Sequence, residues 1–368
     1  MQWTTSARSA VLLGVLMLAG SPAANAQALV QFGFEDDADV AAWRSYSTSA
    51  RLSIARDAAN VREGDGALQF SYEPGQDGYF IIETDALDVA GAQSLSFCVK
   101  CSERTPLLVG MGEEDGSSYD AFLQCPASDW LDVRLSLSDL QLRQDSEDEN
   151  AALDADQIRS LLFFDLSNLP GEVGRALGWK EGAQFMWLDN VVISDEAVPS
   201  RSRVEGGGRV TVEDFETGLV FGLAVGRADG VVVPEGNGHG LGIRYGAGAE
   251  QWQGVVLGVG HVDLTGLQSV SLRAKATHRT RWVTVLEERD GSKYQAVLEL
   301  QPGDWEEHVL PASDFVLDAE TIDENDVLDA DQLRVMILLV DTLDSDVGAD
   351  GTAQVSVDDL VAICAAVP

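Results

Sequence analysis

Lysine is nearly missing from this sequence. There are four (Lys100, Lys180, Lys275 and Lys293), and with arginine the cations number 24 against 61 acids, a formal net charge of −37. A protein that grips phosphates needs clustered cations, so nucleic acid is excluded as a partner. Docking on an anionic membrane surface is disfavoured for the same reason. Histidine is as scarce, with four (His239, His261, His278 and His308), and none neighbours the four cysteines, Cys98, Cys101, Cys125 and Cys364, which argues against a zinc site. There is no nucleophile elbow, no Ser-His-Asp order and no histidine-rich cluster. Among so many acids a carboxylate pair singles out nothing, so no catalytic residue is assigned and the chain reads as a non-enzyme. Only one apolar run stands out, at 10–19, and it is too short to span a bilayer. Membrane insertion is therefore not expected.

That run has the form of an export signal. Arg8 precedes it, Gly20-Ser-Pro follows, and Ala24-Asn25-Ala26 is a small-x-small cleavage site. Residues 1–26 are expected to be removed and the rest to be secreted or periplasmic. An acidic, lysine-poor surface stays soluble by self-repulsion and suits a salty medium or divalent cations, although a generic acidic surface of an exported protein accounts for it equally well.

What is present is a duplication. Gln93-Ser-Leu-Ser-Phe97 returns 175 residues later as Gln268-Ser-Val-Ser-Leu272. The same offset carries Asp115-Gly116-Ser117 and Tyr119 onto Asp290-Gly291-Ser292 and Tyr294, Asp129-Trp130 onto Asp304-Trp305, and Leu153-Asp-Ala-Asp-Gln157 onto Leu328-Asp-Ala-Asp-Gln332. After small gaps Phe34-Glu35 matches Phe215-Glu216, and Asp189 falls on Asp358 or Asp359. A period this long means duplicated domains, not a solenoid. The expected division is a first domain at 27–197, a flexible Gly/Ser-rich linker at 198–208 and a second domain at 209–368.

Each copy reads as all-β. Residues 93–101 and 269–276 alternate polar and apolar with period two, the mark of a half-buried strand. Further runs at 67–73, 79–83, 107–111, 119–125, 131–137, 158–166 and 185–193 are separated by turn signals such as Asp65-Gly66, Asp115-Gly116 and Pro302-Gly303. Nine or ten short strands per copy predict two tandem antiparallel β-sandwich domains of jelly-roll form.

The order of these signals resembles a known family. Phe-Glu near the start, the Trp252-Gln-Gly-Val strand, the alternating strand after Asp263-Leu-Thr-Gly, Tyr294-x-Ala, Asp304-Trp305, Ser313-Asp-Phe315 and a closing strand like Trp187-Leu-Asp-Asn-Val look like the galactose-binding-like jelly roll. Within it the chain is most similar to carbohydrate-binding modules of β-glucanases and to the complex I intermediate-associated domain, in two tandem copies. The resemblance implies a non-catalytic, glycan-binding sandwich, with a structural Ca²⁺ shared by a Glu on the first strand and an Asp on the last. Those positions are Glu35 with Asp189, and Glu216 with Asp358. The second copy ends in Val357-Asp358-Asp359-Leu360 and lacks the aromatic and the Asn of the pattern.

Sugar rings need flat apolar platforms, and their hydroxyls need a few polar groups. Trp252, between Gln251 and Gln253, is a candidate platform. Trp282 is another, since its register opposes Val283 and Val285. Tyr79, Tyr119 and Tyr294 are further aromatic candidates, and Lys100 and Lys275 are candidate hydrogen-bond donors. Trp130 and Trp305 read as core. An exported chain permits a disulfide. Cys98 and Cys101 point to opposite faces of one strand and should not pair with each other, and Cys101 with Cys125, which share the apolar register, fits better, with the connectivity left open. The expected function is a secreted protein with two polysaccharide-binding modules. A structural or adhesive cell-envelope protein that binds other proteins, and a jelly-roll lyase or hydrolase, are the alternatives.

Overall fold

The alternating segment at 93–101 forms the strand Ser94–Cys101, and its repeat forms Leu267–Ala276. The computed structural model describes residues 27–365 apart from 47–49, 74–80, 85–86, 170–173, 175–176, 179, 227–228, 236–237 and 247–249. Most elements are strands, every ladder among the described residues is antiparallel, and the four sheets form two sandwiches. In the first domain one sheet runs Arg51–Ala55, Ala67–Tyr72, Gln184–Ser194, Ser94–Cys101, Leu131–Ser136, with Ala28–Phe32 also on Gln184–Ser194. The facing sheet runs Gln141–Leu142, Ser118–Cys125, Thr105–Glu113, Ile158–Asp165, Ile81–Thr84, Trp43–Ser45. The second domain repeats the plan. Thr352–Cys364 is the central strand of one sheet, and Gly222–Val225, Trp252–Gly258, Leu333–Asp341, Thr280–Glu288, Lys293–Leu300 and Val316–Leu317 make the other. No helix among the described residues is long and apolar enough to cross a membrane.

Each pair of sheets closes on an apolar core. Leu95, Phe97, Val99, Leu107, Val109 and Phe163 meet in the first, and Val270, Leu272, Trp282, Leu286, Met336 and Leu338 in the second. Phe34 and Phe215 occupy matched places, both fully buried and both with positive φ, 58° and 57°. Asn190 and Asp359 are matched in the same way, at 46° and 49°. Non-glycine residues adopt that conformation rarely, so its recurrence aligns Asp189 with Asp358.

The segment read from composition as a flexible linker is built into the fold. Arg203–Val204 pairs with Arg209–Glu213 as an edge strand of the second domain. Arg201 is 5% exposed and donates to the carbonyls of Phe221 (3.3 Å) and Gly258 (3.1 Å). Beyond it, Leu219 and Phe221 join the core cluster of the first domain. A second cluster spans the domains: Leu108, Phe164 and Leu166 pack with Leu223, flanked by Phe122, Leu162 and Val256. Hydrogen bonds border it, from Ala224 N to Gln124 Oε1 (3.2 Å), Gly260 N to Gln141 Oε1 (3.0 Å) and Arg334 Nη1 to Gln144 Oε1 (2.7 Å).

Candidate functional site

The sheet of the second domain that contains Trp252 turns Val255, Leu257, Trp282, Tyr294 and Met336 inward. Alternation then fixes its outer face. Trp252 is paired with Asp341, and Arg281 with Glu299. Arg281 Nε lies 3.7 Å from Asp341 Oδ2 and its Nη1 lies 3.5 Å from Glu299 Oε1. The four side chains thus make one row across four strands. The next row is Gly254, Leu339, Val283 and Val297. Gly254 is required there, because a Cβ would lie 1.9 Å from the Leu338 carbonyl oxygen. Trp252 is 38% exposed. Arg279 extends the ion-pair network at the rim, 3.1 Å from Glu299 and 3.4 Å from Asp344. An indole beside a guanidinium and two carboxylates, over an apolar floor, can stack on a pyranose and hydrogen-bond its hydroxyls.

The same lattice points in the first domain, 175 residues earlier, are Pro106, Gln124 and Leu166 in place of Arg281, Glu299 and Asp341. The row behind them is Phe164, Leu108 and Phe122. This face is apolar and lies against the second domain at Leu223 and Val256.

Among the described residues proposed from sequence, only Trp252 sits on this row. Trp282 is fully buried, with its Nε1 donating to Thr284 Oγ1 at 3.0 Å. The alternation against Val283 and Val285 was read correctly, but the indole takes the core side and the valines the outer one. Tyr119 and Tyr294 are 1% and 2% exposed, and their hydroxyls donate to Asp148 and Asp323. Burial, and then these carboxylates, push both phenols well above their usual range. Neither ring can meet a sugar.

Lys100 lies on the other sheet of its domain, donating to Ala59 O (2.7 Å) and Asn60 Oδ1 (3.1 Å), with its ammonium 5.4 Å from the Trp187 ring centre. Lys275 likewise belongs to the sheet that lacks Trp252, 4.6 Å from the ring centre of Trp305. Trp305 is accordingly not core: it is half-buried beneath Lys275 and Arg273. Trp130 is half-buried too. Tyr79 lies outside the described residues. Arg281, Asp341 and Glu299 were not singled out from sequence, although the 175-residue offset shows the signal, three charges where the first copy has none.

The carboxylates proposed for a metal have definite partners. Both oxygens of Glu35 accept from Asp65 N, at 3.1 and 3.0 Å. Asp189 Oδ2 accepts from Arg62 N (2.8 Å) and Glu63 N (2.9 Å), so the two acids close on one loop, 62–65. Gly64 makes room there, since a Cβ would fall 1.7 Å from Glu35 Oε1. Burial raises the pKa of Asp189, its backbone hydrogen bonds oppose that, and the charge of Glu63 adds to it. In the second domain Glu216 accepts from His239 N (3.2 Å), while Asp358 and Asp359 both face Arg273 Nη1 at 3.4 Å. The matched residue in the first domain is Cys98, a thiol pushed up to about 12 by burial and by Asp132, Asp189 and Glu63. A hard cation that needs six to eight oxygens fits the first set better, because the second already holds a guanidinium.

Two acidic triads missed from sequence also recur. They are Glu113, Asp115 and Asp148, and Glu288, Asp290 and Asp323, with one carboxylate oxygen from each residue within 4.8 Å of the others. Glu113 and Glu288 are buried and accept from the backbone N–H of Asp154 and Asp329 and from the hydroxyls of Ser117 and Ser292. Burial raises the pKa of both.

Residues 18–173 match the family model for the carbohydrate binding domain of family 11. Residues 251–357 match that of complex I intermediate-associated protein 30. The chain therefore resembles carbohydrate-binding modules in one part and the intermediate-associated domain in the other, as the order of motifs implied. Similar solved structures include the family 11 module of a cellulosomal cellulase of Clostridium thermocellum (16% identity, 44% of this chain and 97% of that one, TM-score 0.35). A family 11 module from Clostridium thermocellum in complex with a β-1,3-1,4-mixed-linked tetrasaccharide is 20% identical over 45% of this chain and 96% of that one, with a TM-score of 0.34. The N-terminal tandem CBM22 domain from Paenibacillus barcinonensis Xyn10C covers 94% of this chain and 100% of its own at 14% identity and a TM-score of 0.31. A search of curated proteins finds no match.

Proposed function

We propose that this is an exported, non-catalytic carbohydrate-binding protein whose glycan site is the exposed Trp252 row at the rim of the second domain's outer sheet face. The observation that carries this reading is the row Trp252, Asp341, Arg281 and Glu299 above Leu339, Val283 and Val297. Its acids are held by arginines, an arrangement suited to fixed hydrogen bonding and not to proton transfer. The match to a carbohydrate-binding family lies on the first copy, residues 18–173, and supports the ligand class for the second through the repeat they share. The export signal at 1–26 supports a secreted or periplasmic location, where polysaccharide is met. The matched face of the first domain is covered by the second, so this reading assigns the glycan site to the second domain.

Retardation in gels containing soluble polysaccharides tests this, followed by titration calorimetry with the best oligosaccharide. One site per chain is expected, weakened by Trp252→Ala with little change in melting temperature. Absence of binding across a broad polysaccharide panel would overturn the reading.

A further inference from the structure

We infer that Cys101 and Cys125 are the site of a disulfide that ties the two sheets of the first domain together when the chain folds under oxidising conditions. Cys101 ends the strand Ser94–Cys101 of one sheet, and Cys125 ends Ser118–Cys125 of the other. Both side chains enter the core between the sheets, each 1% exposed. A parallel bridge from Cys101 to Ala127 sets the two strand ends side by side, and each thiol is the strongest influence on the other's protonation.

The second domain supplies the control. A parallel bridge from Cys101 to Ala127 has its counterpart from Ala276 to Pro302. The places of the two cysteines are taken there by Ala276 and Leu300, both buried. An aliphatic pair therefore satisfies the packing, and the sulfur pair in the first copy needs a reason of its own.

The other cysteines are placed elsewhere. Cys98 faces Asp132 and Asp189, and Cys364 Sγ lies 3.7 Å from Leu264 O in the second domain. The surroundings also polarise the pair. The neighbouring Cys125 thiol, and more weakly the charge of Lys180, pull the Cys101 thiol down against its burial, while Cys125 is pushed up.

The oxidant is a disulfide donor, either a thiol–disulfide oxidoreductase or glutathione disulfide. One of the two thiolates first exchanges with the donor to form a mixed disulfide, releasing one donor thiol. The other thiolate then attacks that cysteine sulfur and expels the second. One S–S bond replaces two S–H bonds, and the donor takes up two electrons and two protons. Burial of both sulfurs requires the exchange to precede closure of the sandwich.

The full chain, unfolded and refolded in a glutathione redox buffer, is denatured and alkylated without reductant. Two adducts are expected, on Cys98 and Cys364, rising to four after reduction, with one cross-linked peptide pair joining 101 to 125. Reduction should lower the melting temperature by about 5–10 °C. The double variant Cys101→Ala with Cys125→Leu copies the second domain, so it should fold and melt at one temperature with or without reductant. Four adducts in the oxidised protein, or a bridge that uses Cys98 or Cys364, would overturn the assignment.

Discussion

Positions 106, 124 and 166 carry Pro, Gln and Leu, while 175 residues further on the same lattice points carry Arg281, Glu299 and Asp341. Behind both rows the floor is apolar: Leu108, Phe122 and Phe164 in one copy, Val283, Val297 and Leu339 in the other. The backbone plan is shared, so the difference lies in what each face meets. In the first domain the apolar row is sealed by Leu223 and Val256, and Gln124 serves the interface by accepting from Ala224 N and donating its own backbone N–H to Val220 O. In the second domain Trp252, Arg281 and Glu299 reach water, while Asp341 and the Val283 behind it are buried. The two outer faces pack on each other at Leu223 and Val256, which leaves the Trp252 row exposed at the rim of the second face, a feature that a count of matched motifs does not reveal.

The largest test of this contrast compares the two tryptophans. Trp282→Ala should destabilise the second domain by about 3–5 kcal/mol, since a fully buried indole leaves a cavity. Trp252→Ala should change stability by less than about 1 kcal/mol. Chemical denaturation measures both, and equal losses would erase the distinction between inner and outer faces. Next in size is the seal: Leu223→Ala should cost about 2–3 kcal/mol and raise protease sensitivity between the domains. Unchanged stability there would mean that the first domain's face is not held shut.

For binding, Trp252→Ala should lose about 1–3 kcal/mol of glycan affinity, the contribution of an aromatic platform. Phe122→Ala should lose none. An effect of Phe122→Ala on affinity at unchanged stability would place a second site on the first domain.

Acidity probes the interface. Burial lifts Asp120 to about 6 against Arg334, and Glu213 to about 7 against Arg201. Both folded-state values exceed the unfolded ones, so each group stabilises the fold fully below pH ~4. That contribution is lost as pH rises through about 6 and about 7. Stability should therefore decline from pH 5 to pH 8, and Glu213→Gln should flatten the decline in a pH series of melting curves. The smallest expected effect is calcium. It should raise the melting temperature through the first domain alone, and Asp189→Asn should remove the rise while Asp358→Asn leaves it. A rise that depends on Asp358 would reverse the assignment.

Much of this was legible in the chain. Period-two alternation and the 175-residue repeat predict two all-β sandwiches, because strands expose alternate side chains to opposite faces and a duplicated core needs the same spacing of apolar residues. The register that sets Trp282 against Val283 was also readable. Which of the two faces is the core was not, since alternation is symmetric under exchange of sides and only the opposing sheet breaks the tie. Tyr119 and Tyr294 show the same ambiguity, resolved when their hydroxyls reach Asp148 and Asp323 from loops 29 residues away. Composition named 198–208 a linker, but the burial of Arg201 depends on Phe221 and Gly258, which no local pattern announces. Local chemistry sets the strands, turns and repeat because those depend on neighbours in sequence. Sidedness, the packing of the two outer faces and the row joining Trp252 to Glu299 depend on groups that only folding brings together.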